Sequence, residues 1–186
     1  MFHKVSLITT VLAMSAVAAS AQAGKFTLSS TDAHAGQQMA VAQVFSGMGC
    51  TGQNISPELS WHGAPSAARS FAVTIYDPDA PTGSGWWHWV VYNIPAKTMK
   101  LAAGAGAAHS TSLPAGAKQG NTDFGTPGYG GPCPPKGDAP HHYIFTVYAL
   151  DAASLDIPAG ATAANVGFNL HAHTIAKATF TALYKQ

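Results

Sequence analysis

Charged side chains are scarce in this 186-residue sequence. Asp, Glu, Lys and Arg together make up 9% of the residues, and the formal net charge is +1. A surface for nucleic acid and a patch for anionic lipid both require clustered Lys and Arg. The composition therefore excludes a nucleic-acid-binding face and gives no sign of a stable membrane anchor.

Long apolar runs are also missing, apart from one at the start of the chain. Residues 5–19 are mostly apolar, follow Lys4, and precede the small-x-small sequence Ala21-Gln22-Ala23. A membrane-spanning helix needs about 20 apolar residues, whereas a signal peptide has this shorter pattern. We predict that residues 1–23 are a cleaved signal peptide, that residues 24–186 form a single domain, and that the protein is periplasmic.

Cysteine occurs only twice, as Cys50 and Cys133. An even count in an exported chain favours a disulfide, which would stabilise the fold by about 4 kcal/mol in the chain-entropy description. Two unpaired buried thiols are the alternative. A disulfide would join two glycine-rich loops that are distant in sequence.

Glycine (19) and proline (12) are frequent, and most apolar segments are short and β-branched. This pattern predicts a mainly β domain with long loops. The predicted strands are residues 25–30, 39–45, 54–61, 70–76, 87–94, 142–150 and 179–184. Residues 142–150 are continuously apolar, which indicates a central strand. Residues 161–177 have helix-forming composition, with Val166, Leu170 and Ile175 placed to share a core-facing stripe.

Two carboxylates follow the predicted strand 70–76 directly, in the sequence Asp77-Pro78-Asp79-Ala80-Pro81. Proline restricts its own φ and the residue before it, so both carboxylates should have set directions and lie close together. They suit paired acid–base catalysis, a metal site with nearby histidines, or the orientation of a histidine beside a ligand. A plain Asp-Pro turn is the fourth interpretation.

Histidines at two other predicted strands add to this site. Strand alternation predicts that His88 faces the opposite side of the sheet from both of its tryptophan neighbours. His141 and Tyr143 are two residues apart and should share a face. Together these side chains offer donors to one small anion, with amides of residues 130–137 adding more. Partial protonation of His88 or His141 near neutral pH should then strengthen the binding of that anion.

Four blocks occur in a fixed order: DPDAP at 77–81, GWWHWVVYNIP at 85–95, GYGGPCPPKG at 128–137 and HHYIF at 141–145. They resemble the signature blocks of the phosphatidylethanolamine-binding protein family, in particular its bacterial Raf kinase inhibitor-like branch. The resemblance covers about residues 26–185. It implies a β-sandwich of mostly antiparallel sheets with a helix near the C-terminus, and a small anion pocket that binds rather than catalyses.

The resemblance implies no cofactor and no metal ion. Carried over residue by residue, it places the ligand-binding site at Asp77, Asp79, Pro81, His88, Gly131, Pro134, Pro135, His141 and Tyr143. The family commonly has Arg where this chain has His142. We expect the His142 side chain to point away from the pocket, so that the anion site persists and a neighbouring salt bridge is lost.

The expected function is that of an exported protein that binds a small anionic or phosphorylated ligand, such as phosphate or a phosphoethanolamine-like group. A protein partner and a homodimer are both left open. One alternative is a hydrolase or metal-dependent enzyme that uses Asp77 and Asp79 with His88 and His141. Neither a Gly-x-Ser-x-Gly nor a His-Glu-x-x-His pattern is present to support it. A protease or kinase inhibitor is a further alternative, for which the sequence names no target.

Overall fold

The computed structural model describes Met1 and residues 24–186. The predicted signal peptide, apart from Met1, lies outside the described residues. The elements are short strands around four long ones, with one helix before the last strand. In chain order they are β1 (Thr27–Ser29), β2 (Ser46–Gly47), β3 (Cys50–Thr51), β4 (Leu59–His62), β5 (Ser70–Asp77), β6 (Trp86–Pro95), β7 (Lys100–Leu101), β8 (Lys118–Gln119), β9 (His141–Leu150), α1 (Ala163–His173) and β10 (Thr174–Tyr184).

The largest sheet has the strand order β10-β9-β5-β6-β8, and every pair in it is antiparallel. Both β5 and β9 are rich in β-branched and aromatic residues, which favour the pleated, buried environment of an internal strand. The prediction that residues 142–150 form a central strand is confirmed, since β9 pairs on both sides. The C-terminal end of β5 and the N-terminal ends of β6 and β9 lie together at one end of the sheet.

Both faces of this sheet are covered. A second sheet, ordered β1-β4-β7, packs on one face around buried side chains such as Trp61, Phe71 and Phe145. Helix α1 covers the other face with Val166 and Leu170. Each large apolar side chain that is fully buried contributes roughly 1.5–3 kcal/mol. The predicted mainly β, antiparallel fold with a C-terminal helix is confirmed, and the two packed sheets give it a sandwich-like arrangement.

The helix is shorter than the sequence pattern predicts. Thr162 caps its N-terminus by accepting a hydrogen bond from the Asn165 N–H, and the chain passes directly into β10 at Thr174. Ile175, predicted to belong to the helical stripe, therefore lies in β10 and is 41% exposed. Pairing of Thr174 with Leu150 on β9 outweighs the helical composition of this segment.

The predicted strand at residues 39–45 is wrong. Its residues form two consecutive turns, in which the N–H of Gln43 donates to Ala40 and that of Val44 donates to Val41. The apolar side chains of Met39 and Val44 are buried through these turns rather than through a sheet. Strand pairing begins only at Ser46, in the small hairpin of β2 and β3.

Candidate functional site

A β-bulge in β6 turns His88 towards the site. Ile75 on β5 pairs with Trp89, but the next residue, Tyr76, pairs with Trp87, so His88 is the extra residue on β6. A bulge of this kind breaks the alternation of side chains along a strand. His88 therefore lies on the same face of the sheet as Trp89, where its ring contacts Tyr143 at a centroid distance of 5.1 Å. The predicted orientation of His88 opposite both tryptophans was wrong with respect to Trp89.

The end of β5 places Asp77 beside the first residue of β9. Asp77 Oδ2 lies 2.8 Å from His141 Nδ1, and Asp77 Oδ1 accepts the Asp79 N–H at 2.8 Å. His141 Nε2 lies 3.5 Å from Asp138. Burial is the largest single influence and lowers the pKa of His141, but the hydrogen bond and charge of Asp77, with help from Asp138 and Asp79, raise it overall. The neighbouring carboxylates therefore favour the protonated form of His141.

Asp79 is turned away from this pair. Its Oδ2 accepts the backbone N–H of His142 at 2.7 Å and lies 2.8 Å from His142 Nδ1. Burial raises the pKa of Asp79, but the side-chain and backbone hydrogen bonds from His142 outweigh it and lower the pKa overall. The expected loss of a neighbouring salt bridge stays a prediction, while His142 itself forms a side-chain pair with Asp79.

The loop before β9 holds the ring of His88. Its Nδ1 donates to the Gly130 carbonyl at 2.7 Å. The Asn54 side chain also holds this loop. Its Nδ2 donates to the Tyr129 carbonyl, and its Oδ1 accepts the Gly131 N–H at 2.7 Å. Asn54 has a φ of 54°, a left-handed conformation that Asn tolerates better than most residues. Its side chain can therefore serve two backbone groups that are two residues apart.

Cys50 and Cys133 form a disulfide across a sequence separation of 83, as predicted. It ties the hairpin of β2 and β3 to the proline-rich loop ahead of β9. Gln186 holds the same loop from the other side by donating to the Pro134 carbonyl at 2.6 Å. The loop therefore has fixed anchors on both flanks.

These elements enclose a pocket of about 200 Å³ at the end of the large sheet, which we call the strand-end pocket. It is mostly apolar, with a few polar groups in its lining. Its lining consists of Met48, Asp77, Ala80, Pro81, Thr82, Trp86, His88, Phe124, Cys133, Pro134, Pro135, His141 and Tyr143. A larger cavity of about 660 Å³, lined in part by Asp123 and Gly130, shares Met48, Trp86 and Phe124 with it.

Two buried polar atoms in the lining have no hydrogen-bond partner: the Tyr143 hydroxyl and Trp86 Nε1. Burial raises the pKa of Tyr143, and both the charge of Asp77 and the approach of its carboxylate to the hydroxyl add to this effect. The hydroxyl is therefore neutral and keeps its proton. Buried polar groups without partners cost stability, so these two atoms are positions where a water molecule or a ligand would be hydrogen-bonded.

Seven of the nine predicted site residues line the strand-end pocket, and two do not. Asp79 is engaged with His142, as described above. Gly131 lies against the backbone of the 43–45 turns, where an added Cβ would be 2.0 Å from the Gln43 carbonyl oxygen. The prediction placed both in the pocket, whereas the structure gives them supporting positions in the strand end and the loop.

Trp86 and Phe124 line the pocket but were not among the predicted residues. Trp86 pairs directly with Asp77 across β5 and β6, and Phe124 contacts its ring edge-on at a centroid distance of 5.3 Å. The register of β5 against β6 could have identified Trp86, but the bulge at His88 hides that register in the sequence. Phe124 lies in an irregular loop with no pattern that points to the pocket.

The alternative of a hydrolase or a metal-dependent enzyme depends on how Asp77 and Asp79 are placed. Asp77 interacts with the backbone N–H of Asp79, while the Asp79 carboxylate is directed to His142. Among the described residues, no three His, Cys, Asp or Glu side chains are grouped so as to hold a metal ion. In the same part of the chain, no helix is both long enough and apolar enough to cross a membrane.

Fold and site define a class: a β-sandwich with a small, mainly apolar pocket at the ends of its central strands, closed by a proline-rich loop. Residues 29–185 match the sequence profile of the family described as phosphatidylethanolamine-binding protein. The chain belongs to this family. The resemblance to this family noted from the four sequence blocks is thereby confirmed, while its Raf kinase inhibitor-like branch stays a prediction.

Two proteins of Escherichia coli (strain K12) are close in sequence. The UPF0098 protein YbcL is 50% identical over 182 residues, which is 98% of both chains. The UPF0098 protein YbhB is 52% identical over 157 residues, covering 84% of this chain and 98% of its own.

Solved structures agree with this assignment. The crystal structure of E. coli YbcL, described as a new member of the mammalian PEBP family, superposes with a TM-score of 0.86 at 50% identity and covers 88% of this chain and 99% of its own. The PEBP homolog CT736 of Chlamydia trachomatis superposes with a TM-score of 0.72 at 33% identity, covering 87% and 97%.

Proposed function

We propose that this protein binds a small phosphorylated anion in the strand-end pocket and acts as a binding protein rather than an enzyme. The observation that carries the proposal is the convergence of His88, Tyr143 and Trp86 on one enclosed, mainly apolar space. Hydrogen bonds to an ionised ligand are roughly twice as strong as neutral ones, and an apolar surrounding strengthens them further. Family membership supports the same class of ligand.

The electrostatics of the pocket suit binding better than hydrolysis. Asp77 is committed to His141 and to the Asp79 N–H, so it is not available as a base for a water molecule. His141 is in turn held by Asp77 and Asp138. The two thiols are joined in a disulfide, which removes the cysteines as nucleophiles.

We further propose that the protein works after export, in an oxidising compartment such as the periplasm. The signal-peptide pattern of residues 1–23 supports this setting, as does the Cys50–Cys133 disulfide, because disulfides persist outside the reducing cytosol.

The proposal is tested by an NMR titration of the protein with inorganic phosphate at pH 6. We expect saturable shifts of the His88 and Tyr143 resonances, and we expect His88→Ala to abolish them. His62→Ala is the matched control, because His62 is an exposed histidine on β4 outside the pocket lining. Phosphate binding that leaves His88 and Tyr143 unmoved, or that survives in His88→Ala, would refute the proposed site.

A further inference from the structure

The lining of the strand-end pocket contains two hydrogen-bond acceptors, His88 Nε2 and Asp77 Oδ2, with no proton between them. His88 Nδ1 lies 2.7 Å from the Gly130 carbonyl oxygen, which can only accept, so Nδ1 carries the ring proton. In the neutral ring, Nε2 is then an acceptor. It lies 4.0 Å from Asp77 Oδ2, which is too far for a direct hydrogen bond.

The surroundings of His88 favour the neutral form of its ring. Asp77 approaches it from β5 and Tyr143 from β9, and Asp123 and the backbone of Gly130 and Gly131 approach it from the loop that follows β8. Burial is the largest influence and lowers the pKa of His88, although Gly130, Asp77, Gly131 and Asp123 act in the opposite direction. The Asp77 charge is already matched by His141 at 2.8 Å. Nε2 therefore presents its lone pair to the pocket.

The same space also contains donors. The Tyr143 hydroxyl and the Trp86 indole N–H are buried without partners, and both residues line the pocket. A ligand that satisfies this set must accept from Tyr143 and Trp86 and donate to His88 Nε2. An oxyanion with no proton would instead set an oxygen lone pair against His88 Nε2 and against Asp77 Oδ2, which already accepts from His141, and it would leave His88 Nε2 without a donor.

We propose that the strand-end pocket selects oxyanions that carry a hydroxyl proton. The favoured ligands are the monoanions of phosphomonoesters and phosphonates, and the disfavoured ones are sulfate esters and phosphodiesters. This selectivity rests on the proposed function and narrows its ligand class. It favours a free phosphorylated head group over the phosphodiester of an intact phospholipid.

Methyl phosphate and methyl sulfate form the deciding pair of probes. At pH 5.5 most methyl phosphate is a monoanion with one hydroxyl, because the second pKa of a phosphomonoester is about 6. Methyl sulfate has nearly the same shape and charge but no proton. By calorimetry on the full protein, we expect methyl phosphate to bind at least about tenfold more tightly, the usual scale for one unsatisfied buried acceptor.

Each outcome of this comparison is decisive. Equal affinities overturn the selectivity and leave the proposed function intact, whereas no saturable binding of either probe overturns both. Dimethyl phosphate, a monoanionic diester, provides the second arm and should bind no better than methyl sulfate. Binding of the diester as tightly as the monoester also overturns the proposal.

The number of protons taken up when methyl phosphate binds can be measured. Above pH 6 the affinity for methyl phosphate should fall by up to about tenfold per pH unit, because the dianion must take up one proton on binding. Calorimetry in two buffers of different ionisation enthalpy measures this uptake directly, and we expect it to approach one proton at pH 7.5. An affinity that is flat from pH 6 to pH 8, with no proton uptake, contradicts the proposal.

His88→Gln tests the residue that sets the selectivity. Glutamine can present an amide N–H to the ligand where His88 presents a lone pair, so the ratio between the two probes should fall to within about threefold. A ratio that is unchanged in a folded His88→Gln protein overturns the role of His88. If that variant does not fold, the probe pair and the proton count on the native protein still decide the question.

Discussion

His141 Nδ1 lies 2.8 Å from Asp77 Oδ2, and each side chain is about 5% exposed or less. The opposing influences described above leave the pKa of His141 above its ordinary value. The fold therefore favours the protonated ring. The stabilisation from this pair is complete below pH about 6.5, the ordinary pKa of histidine, and is lost as pH rises through the folded-state pKa.

The pH dependence of Asp77→Asn checks this relationship. In the native protein, loss of the His141 proton should lower the free energy of unfolding as pH rises above about 6.5. Asp77→Asn should show little of this decrease. The variant is also expected to be less stable near pH 6, by about 3 kcal/mol, the scale for a broken buried pair. Chemical denaturation from pH 5 to pH 9, with an NMR titration of His141, measures both effects.

Two comparisons separate this effect from others. His88 acts in the opposite sense, because its lowered pKa contributes stability that is present above pH about 6.5 and is lost as pH falls. Asp151→Asn is the control, since it removes an exposed aspartate–histidine pair at 2.9 Å and should change stability little. Parallel pH profiles for the native protein and Asp77→Asn would contradict the role assigned to His141.

The pattern of β-branched and aromatic residues was enough to predict the long strands, because β5, β6 and β9 have little alternative to burial in a sheet. It failed at residues 39–45, where apolar residues are buried by turns, and at Ile175, where pairing with β9 ends the helix. The orientation of His88 failed for a different reason. One extra residue in β6 reverses the face of a side chain, and only the partner strand reveals it.

The sequence motifs identified residues of the candidate site. They did not predict the direction of a side chain where contacts with another strand determine it. Asp77, His141 and Tyr143 line the pocket because strand alternation sets their direction. Asp79, only two residues from Asp77, is instead held by His142 from β9. The two residues are 63 positions apart in the sequence, so local spacing cannot predict their contact.

Reduction of the Cys50–Cys133 disulfide should destabilise the protein by about 4 kcal/mol, because the bond closes a loop across a separation of 83 residues. Cys133 also lines the strand-end pocket, so phosphate affinity should fall as well. The double variant Cys50→Ser/Cys133→Ser gives the same comparison without reductant. Denaturation midpoints that coincide for oxidised and reduced protein would show that the bond adds no stability.

Asn54→Gly should cost about 1–3 kcal/mol although glycine suits the positive φ at this position. The loss comes from the Gly131 N–H and the Tyr129 carbonyl, which both lose their Asn54 partner. Because the loop also carries the carbonyl that holds His88, the ¹⁵N shift of His88 Nδ1 should change. A variant with native stability and an unchanged Nδ1 shift would refute this supporting role.

His142→Arg should change stability by less than about 1 kcal/mol, since the pair with Asp79 is exposed. The backbone N–H at position 142 continues to donate to Asp79 in either case. Because neither side chain lines the strand-end pocket, phosphate affinity should stay within about twofold of the native value. A large change in affinity would mean that the exterior pair acts on the pocket.

Two glycine-to-alanine substitutions should have opposite effects. At Gly131 a Cβ would lie 2.0 Å from the Gln43 carbonyl oxygen and 2.6 Å from the Phe45 nitrogen, and backbone atoms cannot move aside as a flexible side chain can. Gly131→Ala should therefore destabilise by about 3 kcal/mol or more and weaken phosphate binding by displacing the loop that holds His88.

Gly167→Ala is the matched control, since Gly167 lies within α1 and has no atom within 4 Å of a Cβ. Alanine has the higher helix propensity, so this variant should gain about 0.5–1 kcal/mol with unchanged phosphate affinity. Thermal unfolding and calorimetry measure both variants. If Gly131→Ala were as stable as the native protein, the loop would have to yield by more than an ångström, and the fixed orientation of His88 would no longer follow from its contact with Gly130.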